Sequence, residues 1–515
     1  MKKNILSVAL LATLLGLGAC QTKDITPAPN ATGSGTSTGG TTTPATGTSV
    51  TVDAAITTNT TWRAANKYLL KGYVYVRSGA TLTIEAGTII KGDKDTKGAL
   101  IIEPGAKIMA LGTVTKPIVF TSNQPKGARN YGDWGGVIIA GNAPVNSVVN
   151  GALPTIEGGP TTKYGSMPTV PVNAAAVADN SGIMQYVRIE FGGVAFSPNN
   201  EVNGLTLAGV GNGTTLDHIQ VSYSGDDAFE WFGGTVNAKY LVAHRTFDDD
   251  FDTDNGFSGK VQFGVSLRDP LQADQSGSKA FESDNDSNGS TNGPQTLAVF
   301  SNITAVGPIL NPGAANYSPQ YTAGVHIRRN SALSIMNSVI MGYPTGVLID
   351  GAPTAGTIGR DDARFRNNIV AGSLVGSNSV GGQRGIIYVG PTGGAGSLTA
   401  NSTMSADSSA WGAAVGPLTW LKANANRRYA TADNVQLLNP FNLTSPSFLP
   451  RTGSPIVTVA PATTPVAPAD FGNSKLNDPF FTNVNYIGAF ADPNAAGATN
   501  WLATWTNFDP QNTDY

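Results

Sequence analysis

Thirteen carboxylates crowd one stretch of this 515-residue chain, and chemistry is to be sought there first. They are Asp226, Asp227, Glu230, Asp248, Asp249, Asp250, Asp252, Asp254, Asp269, Asp274, Glu282, Asp284 and Asp286. Five bases accompany them: Lys239, Arg245, Lys260, Arg268 and Lys279. The stretch is thus near -8 (5 - 13) in a chain of net charge -3, which leaves the rest near +5. Local charge of this density marks either a site or a solvated ridge. Hard, oxygen-rich clusters suit Ca2+, whose 6–8 ligands are carboxylates and carbonyls.

Spacing organises these acids. Asp227-Ala228-Phe229-Glu230 returns 22 residues later as Asp249-Asp250-Phe251-Asp252, and after a further 30 as Lys279-Ala280-Phe281-Glu282. If the three phenylalanines stack, Glu230, Asp252 and Glu282 form one column, and Asp254 and Asp284 a second. Like carboxylates stacked about 5 Å apart repel unless a cation or a raised pKa relieves them. Asp284-Asn285-Asp286-Ser287-Asn288-Gly289 has the D-x-D-x-N-G order of a calcium loop, although position twelve is Gln295 rather than Glu. Asp250 to Gly256 is a weaker version with its glycine one place late. The candidate metal ligands are therefore Asp226, Asp227, Glu230, Asp249, Asp250, Asp252, Asp254, Glu282, Asp284, Asp286 and Asn288. An Asx-rich solvated turn is the competing account of both loops. Trp231, beside the acids, could stack on a sugar ring or pack beneath a turn.

Two reactions would use such a cluster. Calcium-dependent polysaccharide lysis needs the cation to neutralise a uronate and a Lys or Arg as base, for which Arg245, Lys260 and Lys279 are available. Glycoside hydrolysis needs paired carboxylates. Ser224-Gly225-Asp226-Asp227 and Asp252-Thr253-Asp254-Asn255-Gly256 are similar to the GDD and NTDG motifs of polygalacturonases, but they stand in reversed order and the GHG and RIK elements are missing. His218, His244 and His326 show no metal-ligand spacing and read as turn or core residues. Ser276-Gly277-Ser278-Lys279 matches S-x-x-K without companion motifs.

The elements that must hold these residues are short apolar alternations broken by glycine, from Thr51 onward. Repeats recur: Val76 to Leu82 against Ile102 to Ile108, and Gly324-Val325-His326-Ile327 against Gly346-Val347-Leu348-Ile349. Asn302, Asn337 and Asn367 each stand five residues before a glycine. Repeats of 20–30 residues built from strands and turns signify a stacked solenoid, with like positions about 4.8 Å apart. The expected fold is all-β, a right-handed parallel β-helix over 51–475, with asparagines able to form a hydrogen-bond ladder. A solenoid end needs covering. The segment 476–515, with Trp501, Trp505 and Phe508 at near-helical spacing, is expected to lie as a cap on the last coil.

Ahead of the repeats, Met1-Lys2-Lys3, the apolar run Ile5 to Leu17 and Leu17-Gly18-Ala19-Cys20 read as an export signal over 1–19. Leu-Gly-Ala-Cys looks like a bacterial lipobox, which implies a lipid on Cys20, the chain's single cysteine. Residues 20–50, rich in Thr, Gly and Ser, read as a flexible tether. Only 13% of the residues are charged, against about 25% in an ordinary soluble chain, and Gly numbers 62, which suits a turn-rich β exterior. No basic surface calls for nucleic acid.

The segments YVRSGATLTIEAGTIIKG, ALIIEPGAKIMALGT, PIVFTSNQPKGARNYGDWGGVII, SGDDAFEWFGGTVNAKYLV and YIGAF resemble a Bacteroidota-type family of secreted right-handed parallel β-helix lipoproteins. The resemblance covers nearly the whole chain after Cys20 and implies fold and placement, with no established activity. Gln21 fits transfer to the outer membrane, on its periplasmic or cell-surface side. The expected role is therefore binding or structural, toward extracellular glycan or an envelope protein, with a calcium-binding acidic flank. A calcium-dependent lyase or hydrolase of acidic polysaccharide is the alternative.

Overall fold

The computed structural model describes residues 47–373 (except 149, 170, 172, 198, 199 and 312–315), the backbone of 386–389, and residues 424–458 and 468–515. Cys20, the export signal and nearly all of the tether lie outside the described residues. Two large sheets, of seventeen and ten strands, are built from parallel pairings. The antiparallel strand pairs among the described residues are two small ones, Ala195–Ser197 with Asn200–Glu201 and Leu437–Asn439 with Ser447–Pro450. This is an all-β parallel solenoid. No described helix is long and apolar enough to cross a membrane.

The wide sheet has two walls. The first halves of Gly182–Glu190 and its successors continue the series Thr60–Trp62, Thr81–Ile84 and Lys107–Leu111. The second halves continue Lys67–Leu70, Ile89–Gly92 and Ile118–Ser122. Between the halves one residue per coil takes left-handed backbone: Tyr186 (φ 50°), His218 (52°), Tyr240 (59°), Phe263 (61°), Asn302 (60°), Asn337 (51°) and Asn367 (54°). The ten-stranded sheet is the third wall.

Alternation decides what lies inside. In Phe229–Phe232, Phe251–Asp254 and Lys279–Ser283 the rings of Phe229, Phe251 and Phe281 stack through the core at 5.8 and 5.2 Å, as their repeat spacing predicts. Each buried ring contributes about 1.5–3 kcal/mol. Further along the inner side Thr253 bonds Ser283 (2.7 Å) and Ser283 bonds Ser331 (2.5 Å), a hydroxyl ladder that satisfies itself.

The C-terminal segment departs from its expected place. It does not lie over the last coil but runs backward along the second wall of the wide sheet as a strap. Asn367 donates to Pro468 O (2.7 Å), Asn337 to Asp470 O (3.0 Å), Gln262 to Thr482 O (2.8 Å) and Gln220 to Asn507 O (2.7 Å). Arg129 holds Thr513 O (2.9 Å), and Tyr515 donates to Glu190 (2.6 Å). The reason is apolar area. Val242, Val265, Leu267, Val339, Met341 and Ile369 cluster beneath Ile487, Phe490, Leu502 and Trp505. Strands covered on both sides read as near-continuous apolar runs, and Val299–Val306 is buried throughout. Trp501 and Trp505 sit in a turn, not a helix, with Trp505 Nε1 donating to Trp501 O (2.6 Å).

Candidate functional site

Strand register assembles the carboxylates on the outer face of the ten-stranded sheet. Glu230 pairs with Asp252, Asp252 with Glu282 and Glu282 with His326, one column over four coils. A second column stands at the strand entrances, where Asp249 N donates to Asp227 (2.7 Å) and Lys279 N to Asp249 (2.6 Å). At the strand exits Asp254 follows Phe232 in register. Because side chains alternate, the same strands that send phenylalanine inward send these acids outward. Three triads result, each with its ligand oxygens within 4.8 Å of one another: Asp226–Asp227–Asp248, Asp227–Glu230–Asp252 and Asp249–Asp252–Glu282.

The triads differ in their neutralisation. Lys279 Nζ lies 3.4 Å from Asp249 and closer still to Glu282, which Arg328 also meets. His326 joins the same end, with Nε2 3.1 Å from Asp350 and Nδ1 3.6 Å from Glu282. Asp226, Asp227, Glu230, Asp248 and Asp252 make no ion pair among the described residues, and Asp248 Oδ1 and Asp252 Oδ1 are buried oxygens without a hydrogen-bond partner. The third triad thus contains directly paired protein cations, whereas the other acids make no ion pair of their own, although Lys279 and Arg328 act on Asp248 and Asp252 from farther off.

Protonation follows that division at Glu282 but not at Asp249, whose burial pushes it well above the usual carboxylate range even with Lys279 beside it. Burial first, then the surrounding acids, pushes Asp226, Asp227, Glu230 and Asp252 well above the usual carboxylate range. Burial and Asp284 push Asp254 up to about 7. Glu282 goes the other way: burial opposes its charge, but Lys279 and Arg328 overcome that and hold it well below the usual range. Lys279 is buried too, yet Asp249 and Glu282 keep its ammonium protonated.

Several expected ligands are engaged elsewhere. Asp250 forms a fully buried pair with Arg268 (2.7 Å). Asp284 is bound by Arg328 (2.7 Å) and Arg329 (2.6 Å). Asp286 accepts from Asn288 N (2.9 Å) and Ser290 N (3.0 Å), so the D-x-D-x-N-G segment closes its own turn. Asp254 accepts from Asn255 N (2.5 Å). Trp231 is fully buried, against Phe257 at 5.3 Å, so its ring face is unavailable to a sugar. It lies two residues from inward Phe229, and parity alone places it inside.

Other contributors had no signal in the repeats. Asp248 completes the first triad. Asn203 donates to Glu230, and Glu157 stands beside Glu230 with its carboxyl pushed up to about 7 by burial. Glu157 arrives on an insertion between coils. Gly158 (φ 74°) lets that loop close on the Ala195–Glu201 hairpin, since a Cβ there would sit 2.3 Å from Val202.

With the geometry in place, relatives can be compared. Residues 54–414 match a family described as pectate-lyase like beta helix domain. No curated protein matches the chain. Among solved structures, the crystal structure of Dettilon tailspike protein (gp208) aligns with 11% identity over 78% of this chain and 68% of its own, at a TM-score of 0.21.

Proposed function

The chain belongs to the family of pectate-lyase-like β-helix domains, and from that premise we propose that it is a glycan-binding protein whose carboxylate face works with calcium. The observation that carries this reading is the pair of triads sharing Asp227, whose oxygens lie within 4.8 Å of one another and form no ion pair among the described residues. Five carboxylates so placed have the hard-oxygen donor set that Ca2+ takes, and the unpartnered oxygens of Asp248 and Asp252 fit it. A bound cation supplies positive charge with which a uronate or other anionic sugar group can pair. Asp226, Asp227, Glu230, Asp248 and Asp252 hold that charge in place, and Asn203 orients Glu230.

Binding is favoured over lysis because Lys279, the base nearest the site, is kept protonated by Asp249 and Glu282. A hydrolase is the second reading, favoured by one observation. Asp252 and Glu282 are neighbours whose pKa values are driven apart, as an acid and its ionised partner require. The lipid on Cys20 and an outer-membrane location are part of the same proposal and rest on the sequence Leu17-Gly18-Ala19-Cys20. Loss of palmitate labelling in Cys20→Ser would support them; unchanged labelling would remove them.

The deciding experiment is retention of the full chain on polygalacturonate with calcium and with EDTA, for the wild type and Asp252→Asn. Calcium-dependent retention lost in the variant supports the binding reading. Release of shortened products, also lost in the variant, supports hydrolysis. Equal behaviour with and without calcium overturns the role of the cation and points to an envelope protein as partner.

A further inference from the structure

The bend residues of the wide sheet change character along the solenoid. Left-handed backbone suits asparagine, and at Asn302, Asn337 and Asn367 the amides are used, donating to Tyr486 O, Asp470 O and Pro468 O of the strap. In the four earlier coils the same position holds Tyr186, His218, Tyr240 and Phe263, and for the bulky Tyr186, Tyr240 and Phe263 a positive φ is costly. Their rings stack at 4.4, 4.3 and 5.1 Å, a continuous aromatic ladder. Tyr186 begins it, with one face on His218 and Trp505 meeting it edge-on at 5.9 Å.

Between this ladder and the strap lies a cleft of about 810 Å3. Tyr186, His218 and Tyr240 line one side, and Asn485, Thr499 and Trp501 line the other. No Lys, Arg, Asp or Glu among the described residues lines it. Asp217, just behind, is engaged with His218 Nδ1, which leaves Nε2 as the imidazole's second polar atom. Burial raises the phenols of Tyr186 and Tyr240, which therefore stay neutral hydroxyls. The chemistry on offer is aromatic C–H surface, phenol, imidazole and amide, with no charge left to pair. A peptide adding as a strand would need an unpaired edge, but Thr215–Ser222 is paired on both sides.

We propose that this cleft is a second binding site, for a neutral saccharide, whose apolar ring faces and uncharged hydroxyls match its walls. It is on a different wall from the carboxylates and does not depend on them or on a cation. The test is calorimetric titration of the full chain in EDTA with three neutral hexaoses: cellohexaose, mannohexaose and laminarihexaose. At least one binds, with Kd of about 1 mM or tighter, and Tyr186→Ala weakens it at least about tenfold. Asn485→Ala, an exposed position whose change leaves the fold intact, weakens it in the same direction, whereas Asp252→Asn leaves it unchanged. Failure of all three sugars to bind overturns the proposal. So does binding that survives both cleft variants, or that falls equally in Asp252→Asn.

Discussion

Two columns climb this solenoid with the same vertical repeat and opposite electrostatics. On the ten-stranded sheet Glu230, Asp252 and Glu282 follow one another in register, and each carboxylate makes the next harder to ionise. At the bend of the wide sheet Tyr186, His218, Tyr240 and Phe263 follow one another as rings, and each helps bury the next. Coil stacking brings identical positions to about 4.8 Å whatever their chemistry. Aromatic rings and amides satisfy their own copies at that distance. Carboxylates do not, so a column of them requires something the column lacks. At its upper end the chain supplies it, as Lys279 and Arg328; at its lower end the acids form no ion pair among the described residues.

The comparison can be broken or sharpened by measurement. Removing what lies beneath the carboxylate column should do most: Phe251→Ala opens the core between Phe229 and Phe281 and is expected to cost about 3–5 kcal/mol in denaturant unfolding. Asn337→Ala attacks the bend column instead. It strands Asp470 O and Asp470 N and removes one of the two acceptors of Asn367 Nδ2, and a loss of about 1–3 kcal/mol is expected by the same assay. Asp252→Asn should have the opposite sign, because it relieves repulsion. In EDTA the variant is expected to be more stable than the wild type by on the order of 1 kcal/mol, and to show less of the rise in Tm that the proposed calcium site predicts for the wild type.

The smallest effect is in pH. Asp254 and Glu157 titrate at about 7 in the folded chain, far above ordinary carboxylates at about 4. Between those limits the folded state holds more protons than the unfolded one, so stability rises as pH falls from about 8 toward 4. Glu282, held low, contributes in the reverse sense: its stability is present above its unfolded value and is lost as pH falls through its folded pKa. His244, buried and lowered to about 3, likewise costs stability once pH drops below about 6.5. In EDTA, Tm should therefore climb by on the order of a few degrees from pH 8 to pH 6 before turning over, and calcium should flatten the climb. A Tm that falls monotonically over that interval would show the lower carboxylates to be already neutralised.

Much of this was legible in the chain itself because repeats carry register. The recurrence of Asp-x-Phe-Glu and its variants places the phenylalanines in one stack and the acids in one column, as observed. Parity also decides Trp231, since a residue two beyond an inward phenylalanine points inward. What could not be read were contacts between segments that do not repeat. Glu157 reaches Glu230 from an insertion, and the partners of Asp284 come from Arg328 and Arg329 in the next coil. The position of the strap was illegible for the same reason: its tryptophans announce apolar burial, but nothing local says which wall receives them.

The strap also bears on how the chain is made. A solenoid whose coils meet only their neighbours can close progressively, each turn templating the next. Here Gln511 and Thr513 reach the turn around Gly127 and Arg129, and Tyr515 reaches Glu190, so the early coils depend on residues hundreds of positions later. Until residues 468–515 emerge, the stripe of Val265, Val339 and Ile369 lacks Ile487, Phe490, Leu502 and Trp505 over it. A nascent or clipped chain lacking these residues would present more of that stripe to chaperones or to its own copies, and docking of the strap becomes the step that makes the surface safe.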